Sequence, residues 1–240
     1  AAGFKVALDA VNSVGGIIMP RLLERMGVEC VCVNCEPTGE FAHNPEPLPS
    51  NLVELCEAVV ANGADFGISV DPDVDRLALI CENGQPFGEE YTLVSVADYL
   101  LSRIYNEALE TGKSIEEIAA PSQMVTSSNL SSSRALRDVT EQYGGEYCTA
   151  AVGEVNVTTK MREAGALIGG EGNGGVIYPA LHYGRDAMVG VALFLTNLAY
   201  KKMKVSELRA SYPEYVIAKN KIELSDSALI DKILDEVKTV

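Results

Sequence analysis

Short apolar runs and amphipathic stretches alternate along the chain. FKVALDA at 4–10 reads as a strand, VNSVGG as a turn, and IIMPRLLERMG at 17–27 as an amphipathic helix stopped by Gly27. VECVCVN at 28–34 is a second strand, so the chain opens as a βαβ unit. The prolines of CEPTGEFAHNPEPLPSN at 35–51 exclude a helix or a central strand and predict a loop. Asn51 is placed to cap a helix over 52–63 that Gly63 stops. Strand FGISV at 66–70, the loop DPDVDR and strand LALICENG at 77–84 follow, with a turn at Asn83-Gly84. A helix from about Tyr91 to Leu109 ends this first unit.

A second unit begins after Thr111-Gly112-Lys113 with strand-like MVTSS, then Asn129 and a helix from near Ser131 to Tyr143. EYCTAAV predicts a strand, VNVTTKMREAG a short helix and ALIGG a strand. The glycine loop EGNGG, VIYP, HYGRD and a long helix from Asp186 to about Lys204 complete it. Both units run strand, Asn/Ser turn, helix, glycine stop, strand. This weak internal repeat predicts an α/β protein of two similar three-layer α/β/α domains with mixed sheets. From Tyr212 a strand and an amphipathic segment, LIDKILDEV, are expected.

The length of 240 residues allows two ordinary domains with ample core. Lys and Arg number 19 against 34 Asp and Glu, a net charge of −15, which leaves no electrostatic footprint for nucleic acid or an anionic membrane. No apolar run approaches the roughly 18–20 residues of a membrane span, and no secretory leader precedes the first strand, so a cytoplasmic protein is expected. Cys30, Cys32 and Cys35 raise the question of zinc, but a fourth ligand at finger spacing is missing, and buried thiols are expected instead.

Asp71, Asp73 and Asp75 follow an apolar strand at i, i+2 and i+4, with Arg76 next. Carboxylates this close repel, and a hard divalent cation such as Mg²⁺ relieves them through oxygen ligands. An EF-hand fails because Arg76 stands where the loop needs glycine. A phosphatase of the D-x-D-x-[TV] type would make Asp71 a nucleophile, but Asp75 takes the Thr/Val position. A solvated acidic turn is the bland alternative.

Gly170 to Gly175 formally matches G-x-G-x-x-G, yet VIYPALHYG with Pro179 cannot supply the helix a dinucleotide loop needs. What remains is a flexible backbone presenting Glu171 and Asn173, a carboxylate and an amide suited to adjacent sugar hydroxyls, or else a surface turn.

DPDVDR, flanked by GADFGISV and LALICENG, resembles the metal-binding loop of the α-D-phosphohexomutases, which include phosphoglucomutase, phosphomannomutase and phosphoglucosamine mutase. The resemblance implies that Asp71, Asp73 and Asp75 hold Mg²⁺ with a phosphoserine oxygen, and that Arg76 contacts the phosphoryl group. GEGNGG is similar to the family's sugar loop, G-E-x-S/N-G, which implies that Glu171 and Asn173 bind ring hydroxyls. Asn173 stands where many members have Ser, and Gly175 where many have His. Asp186 reads as a helix N-cap, and His182 and Arg185 as members of an N-terminal ion pair rather than ligand contacts.

Ala42-His43-Asn44-Pro45 resembles the tail of the catalytic T-A-S-H-N-P, but Ala42 replaces the nucleophilic serine, so His43 is read as structural. Ser127, Ser128 and Ser131 to Ser133 read as turn and helix-start residues. The resemblance implies domain II at 1–106, domain III at 107–211, and a linker with the truncated start of domain IV at 212–240. Domain I with the phosphoserine and most of domain IV would be partners outside this chain, which alone is expected to be inactive. The implied reaction interconverts hexose 1-phosphate and hexose 6-phosphate through a hexose 1,6-bisphosphate. Its rivals are a Mg²⁺-dependent sugar-phosphate phosphatase and a non-catalytic module that binds metal or sugar phosphate.

Overall fold

The structure, a computed structural model, describes residues 3–217 together with 230, 233, 235 and 236. In the first unit, β1 (Lys5–Asp9), α1 (Gly15–Arg25), β2 (Glu29–Val33), α2 (Val53–Ala61), β3 (Phe66–Val70) and β4 (Leu77–Cys81) build a sheet ordered β2-β1-β3-β4. A long helix, α3 (Glu89–Thr111), and a single turn, α4 (Ile115–Ile118), lead onward. In the second unit, β5 (Val125–Asn129), α5 (Ala135–Gln142), β6 (Glu146–Ala150), α6 (Glu154–Ala164), β7 (Ile168–Glu171) and β8 (Gly175–Ile177) build a sheet ordered β6-β5-β7-β8. Helices α7 (Ala187–Lys201) and α8 (Val205–Ala210) follow. In each sheet three strands are parallel and the last joins antiparallel. The repeat seen in the sequence is therefore a repeat of topology, and both sheets are mixed.

Period-two patterning divides the first sheet. Val6, Leu8, Phe66, Ile68, Leu77 and Leu79 face one core with α1 and α7. Ala7, Ala78 and Ile80 face the opposite one, with Leu52, Leu55 and Val59 beside α2. The first core continues into Ile168 and Val176 of the second sheet. Phe194 of α7 meets both Phe66 and Phe87 edge-to-face with ring centroids 5.4 Å apart. Helix α3 packs on α5 and α7 and touches β4, β7 and β8. One apolar core thus joins the two units. Among the described residues, no helix is long and apolar enough to cross a membrane.

Several local expectations change. Asn51 does not cap α2: it ends a 3-10 turn over Pro49–Asn51, and its side-chain amide donates to Glu46 O at 2.8 Å. Helix α5 begins at Ala135, because Ser131 to Ser133 form a turn in which the Ser132 hydroxyl donates to Asn129 Oδ1 at 2.7 Å. Ser127 and Ser128 are buried within β5 rather than in a turn. Helix α7 ends at Lys201, where Lys202 turns left-handed (φ 54°), and α4 and α8 are additional. No strand forms over 212–217. There the Tyr212 hydroxyl donates to Asp98, and Tyr215 N donates to the Tyr91 hydroxyl. The expected segment LIDKILDEV lies outside the described residues apart from 230, 233, 235 and 236.

Glu82, just past β4, accepts from Ser206 N at 3.0 Å and from the Ser206 hydroxyl, tying the first unit to α8. Burial pushes its carboxyl up, but the Ser206 bonds outweigh this and hold it below the usual carboxylate range. A depressed carboxyl stabilises the fold above its unfolded pKa, and that contribution is lost as pH falls through the folded value. Glu82→Gln is expected to lower the urea midpoint at about pH 7, by an amount that shrinks as the pH is taken down through the folded pKa of Glu82. An equal loss at every pH contradicts this linkage.

Candidate functional site

The β3–β4 connection is DPDVDR. Asp71 leaves the sheet almost fully buried, Asp75 is half-buried and Asp73 is exposed. One carboxylate oxygen from each lies within 4.8 Å of the others. Asp71 shapes the turn: its Oδ1 accepts from Asp75 N and Arg76 N, both at 3.0 Å, and its Oδ2 from Arg76 Nε at 2.7 Å. Val74 is held at φ 61°, a costly conformation for a β-branched residue. Two backbone bonds secure it, Val74 N to Asp71 O at 3.1 Å and Ala187 N to Val74 O at 3.0 Å. The Ser13 hydroxyl adds a tie from the β1–α1 turn, donating to Pro72 O at 2.9 Å.

These contacts split the two inner carboxyls. Burial alone raises Asp71, but hydrogen bonds from the Arg76 backbone and side chain outweigh it and set Asp71 below the usual range. Burial also raises Asp75, and the Asp71 carboxylate beside it adds to this, so Asp75 sits at about 6. For Arg76, burial opposes the charge, but Asp71 outweighs it and keeps the guanidinium firmly protonated. An all-oxygen set held close at this electrostatic cost fits a hard divalent cation.

The glycine loop occupies the equivalent β7–β8 hairpin. A strand rather than a helix follows it, so it does not cradle a dinucleotide. Glu171 is buried and takes three donors: Asn129 Nδ2 at 2.7 Å, Gly153 N at 3.3 Å and Arg185 Nη1 at 3.1 Å. Asn173 folds over its own turn, its Oδ1 accepting from Gly175 N at 3.2 Å. The two hairpins abut. Leu77 N donates to Gly174 O at 3.0 Å, and Arg76 bridges Gly175 in antiparallel fashion. Gly174 has φ 88°, and a Cβ there would lie 2.4 Å from Leu77 O. Asp71, Asp73, Asp75 and Arg76 are thereby brought beside Glu171 and Asn173.

Arg185 differs from expectation. At the N-terminus of α7 it is His182 Nε2 that contacts Asp186 Oδ2, at 3.0 Å, while Asp186 caps the helix by accepting from Met188 N and Val189 N. Arg185 instead turns into the site, pairing with Asp75 and Glu171 and lying 3.5 Å from Glu154 Oε2. Sequence reasoning missed this because a bridge to Asp75 spans 110 positions and leaves no local pattern. Asn129 and Ser13 were missed as site supports for the same reason. His43 Nε2 lies 3.0 Å from Asp9 Oδ2 and its Nδ1 2.8 Å from Asn44 O, tying down the proline-rich loop.

Gly174→Ala is expected to destabilise the fold by about 2–3 kcal/mol, from the left-handed backbone and the lost approach to Leu77. Chemical denaturation measures it, and a loss below about 0.5 kcal/mol would remove this contact as a constraint.

Comparison with known proteins gives this geometry a family. Residues 1–84 match the family model for phosphoglucomutase/phosphomannomutase, alpha/beta/alpha domain II, and residues 93–215 that for domain III. A phosphoglucomutase/phosphomannomutase of Thermococcus kodakarensis is 34% identical over 233 residues, which cover 96% of this chain and 47% of that protein. A phosphoglucosamine/phosphogalactosamine mutase of Sulfurisphaera tokodaii is 30% identical over 239 residues, 99% of this chain and 49% of that protein. The crystal structure of a phosphoglucomutase/phosphomannomutase family protein from Burkholderia thailandensis superposes with a TM-score of 0.70 at 25% identity, covering 89% of this chain and 43% of that one. The chain thus spans about half the length of the relatives it matches. With both hairpin loops on domains that these models match, the chain belongs to the phosphoglucomutase/phosphomannomutase family, of which it comprises domains II and III.

Proposed function

We infer that this chain carries the metal loop and the sugar loop of a Mg²⁺-dependent phosphohexomutase that interconverts hexose 1-phosphate and hexose 6-phosphate. The observation that carries this reading is the abutment of the two hairpins, which sets three convergent carboxylates beside Glu171 and Asn173. The nucleophilic serine and the grip on the distal phosphate belong, in this reading, to the other half of a full-length relative. A hexose 1,6-bisphosphate is the exchanging intermediate.

Asp71, Asp73 and Asp75 would hold the cation. Bound there, Mg²⁺ supplies charge neutralisation to the transferring phosphoryl group. Asp71 orients the loop through its backbone bonds. Arg76 is anchored to Asp71 through Nε, so its outer nitrogens are the part available to phosphoryl oxygens. Asn173 spends its carbonyl oxygen on Gly175 N, which leaves its amide hydrogens to donate to a sugar oxygen. Glu171 takes two donors on Oε1 and one on Oε2, which leaves a lone pair of Oε2 to accept a ring hydroxyl. The phosphatase reading is the weaker one, because Asp75 stands where its D-x-D-x-[TV] loop needs Thr or Val.

The test is a mutase assay on the full-length protein with glucose, mannose and glucosamine 1-phosphates, Mg²⁺ and a hexose 1,6-bisphosphate. Interconversion is expected, and phosphate release without isomerisation would overturn the reading in favour of a phosphatase. Asp73 is exposed, so Asp73→Ala is expected to leave the circular dichroism unchanged and to abolish Mg²⁺ binding in calorimetry. Unchanged affinity would refute the ligand assignment.

A further inference from the structure

Arg185 is the side chain that physically joins the two loops. Its Nη2 pairs with Asp75 Oδ2, and its Nη1 donates to Glu171 Oε2 at 3.1 Å. Its Nε lies 3.5 Å from Glu154 Oε2 without completing a hydrogen bond, and its backbone amide donates to Glu154 Oε1 at 3.1 Å. Three carboxylates therefore surround one guanidinium. The stem is seated over the sugar loop: a Cβ at Gly175 would lie 2.5 Å from Arg185 Cδ, so a side chain there would displace it. Residue 185 also bridges Ile177 of β8, which fixes where the stem starts.

Arginine stays charged at every accessible pH, and its planar fork suits two carboxylates at once. A divalent cation and the Arg185 guanidinium would draw on the one negative charge of Asp75, so each weakens the carboxylate for the other. The remaining partners, Glu171 and Glu154, keep the guanidinium from being stranded when Asp75 is withdrawn. The device thus has two arrangements, one shared between Asp75 and Glu171 and one withdrawn from Asp75.

We propose that Arg185 is an internal counter-ion that competes with the divalent cation for Asp75 and so couples metal occupancy to the state of Glu171. The proposal rests on the reading of Asp71, Asp73 and Asp75 as the metal ligands. Metal binding withdraws Asp75 from Arg185 and leaves Glu171 as the main anchor of the guanidinium. By reciprocity, anything that strengthens the hold of Arg185 on Asp75 weakens the metal.

The test is calorimetric titration of Mg²⁺ alone into the full chain. Arg185→Met is expected to tighten Mg²⁺ by about tenfold, because the competing cation is gone. Glu171→Gln removes the second anchor, settles Arg185 on Asp75, and is expected to weaken Mg²⁺ by about threefold although Glu171 is no ligand. In the Arg185→Met background the Glu171→Gln effect is expected to vanish. An unchanged or weaker affinity in Arg185→Met, or a Glu171→Gln effect of equal size in both backgrounds, overturns the proposal. Should Arg185→Met lose its circular dichroism, Arg185→Lys serves in its place. One ammonium cannot hold two carboxylates in a fixed fork, so the Glu171→Gln effect is expected to disappear there too, and its persistence overturns the coupling. Asp73→Ala separates the two failures: if Mg²⁺ still binds as in the wild type, the ligand assignment has failed, and if it does not, only the Arg185 results bear on the coupling.

Discussion

The hydrogen bond from Leu77 N to Gly174 O is the join on which the site depends. β4 and β8 are the last strands of their sheets, and short bridges line their outer edges, Ile80 with Pro86 and Ile177 with Arg185. Where the two edges meet, Arg76 and Gly175 pair in antiparallel fashion and the ladder passes from one sheet to the other. The outer edge of each unit is thereby partly covered by the other unit. The hairpin tips carry DPDVDR and GEGNGG, so closing the edges also aligns the loops. The shared core around Phe66, Phe87 and Phe194 holds the join from behind.

Charge is distributed unevenly around this seam. The chain carries −15 overall, yet the two arginines nearest the loops are both committed to carboxylates, Arg76 to Asp71 and Arg185 to Asp75 and Glu171. The carboxyls do not behave alike. Asp71, fed by backbone amides and Arg76, is held low, while Asp75, buried beside another carboxylate, is pushed up to about 6. A site of this kind is costly without a cation, and its geometry survives because backbone amides and Arg76 donate to the Asp71 carboxylate and hold the turn around it. Val74 shows the same economy, since two backbone bonds keep a β-branched residue at positive φ.

The two units differ in how they use one topology. In the first, the hairpin tip is wide, with convergent acidic side chains graded from buried to exposed. In the second, the tip is a tight glycine turn that folds Asn173 inward and lets other chains approach: Leu77 O over Gly174, Arg185 over Gly175, and the Glu90 carboxylate over Gly172. Small residues in the second loop make space for the supports of the first, which is why neither hairpin forms the site alone.

Strand and helix rhythm, the repeated unit, the acidic triplet and the glycine loop were all legible in the chain itself. They rest on interactions within a few residues: period-two burial, glycine stops and carboxylates spaced two apart on one turn. Local hydrogen bonds that compete with helix signals were less legible, and Asn51 serves Glu46 O rather than the start of α2. The fate of Arg185 was not legible at all. Next to a helix N-terminus it resembles a local partner for Asp186, but His182 fills that place and the guanidinium spans 110 residues of sequence to Asp75. Two α/β units and the chemistry displayed on each hairpin can be read from the chain, because they follow from neighbouring residues. Tertiary structure alone decided that the hairpins share one site bridged by Arg185, because only the packing of the two sheets brings their edges together.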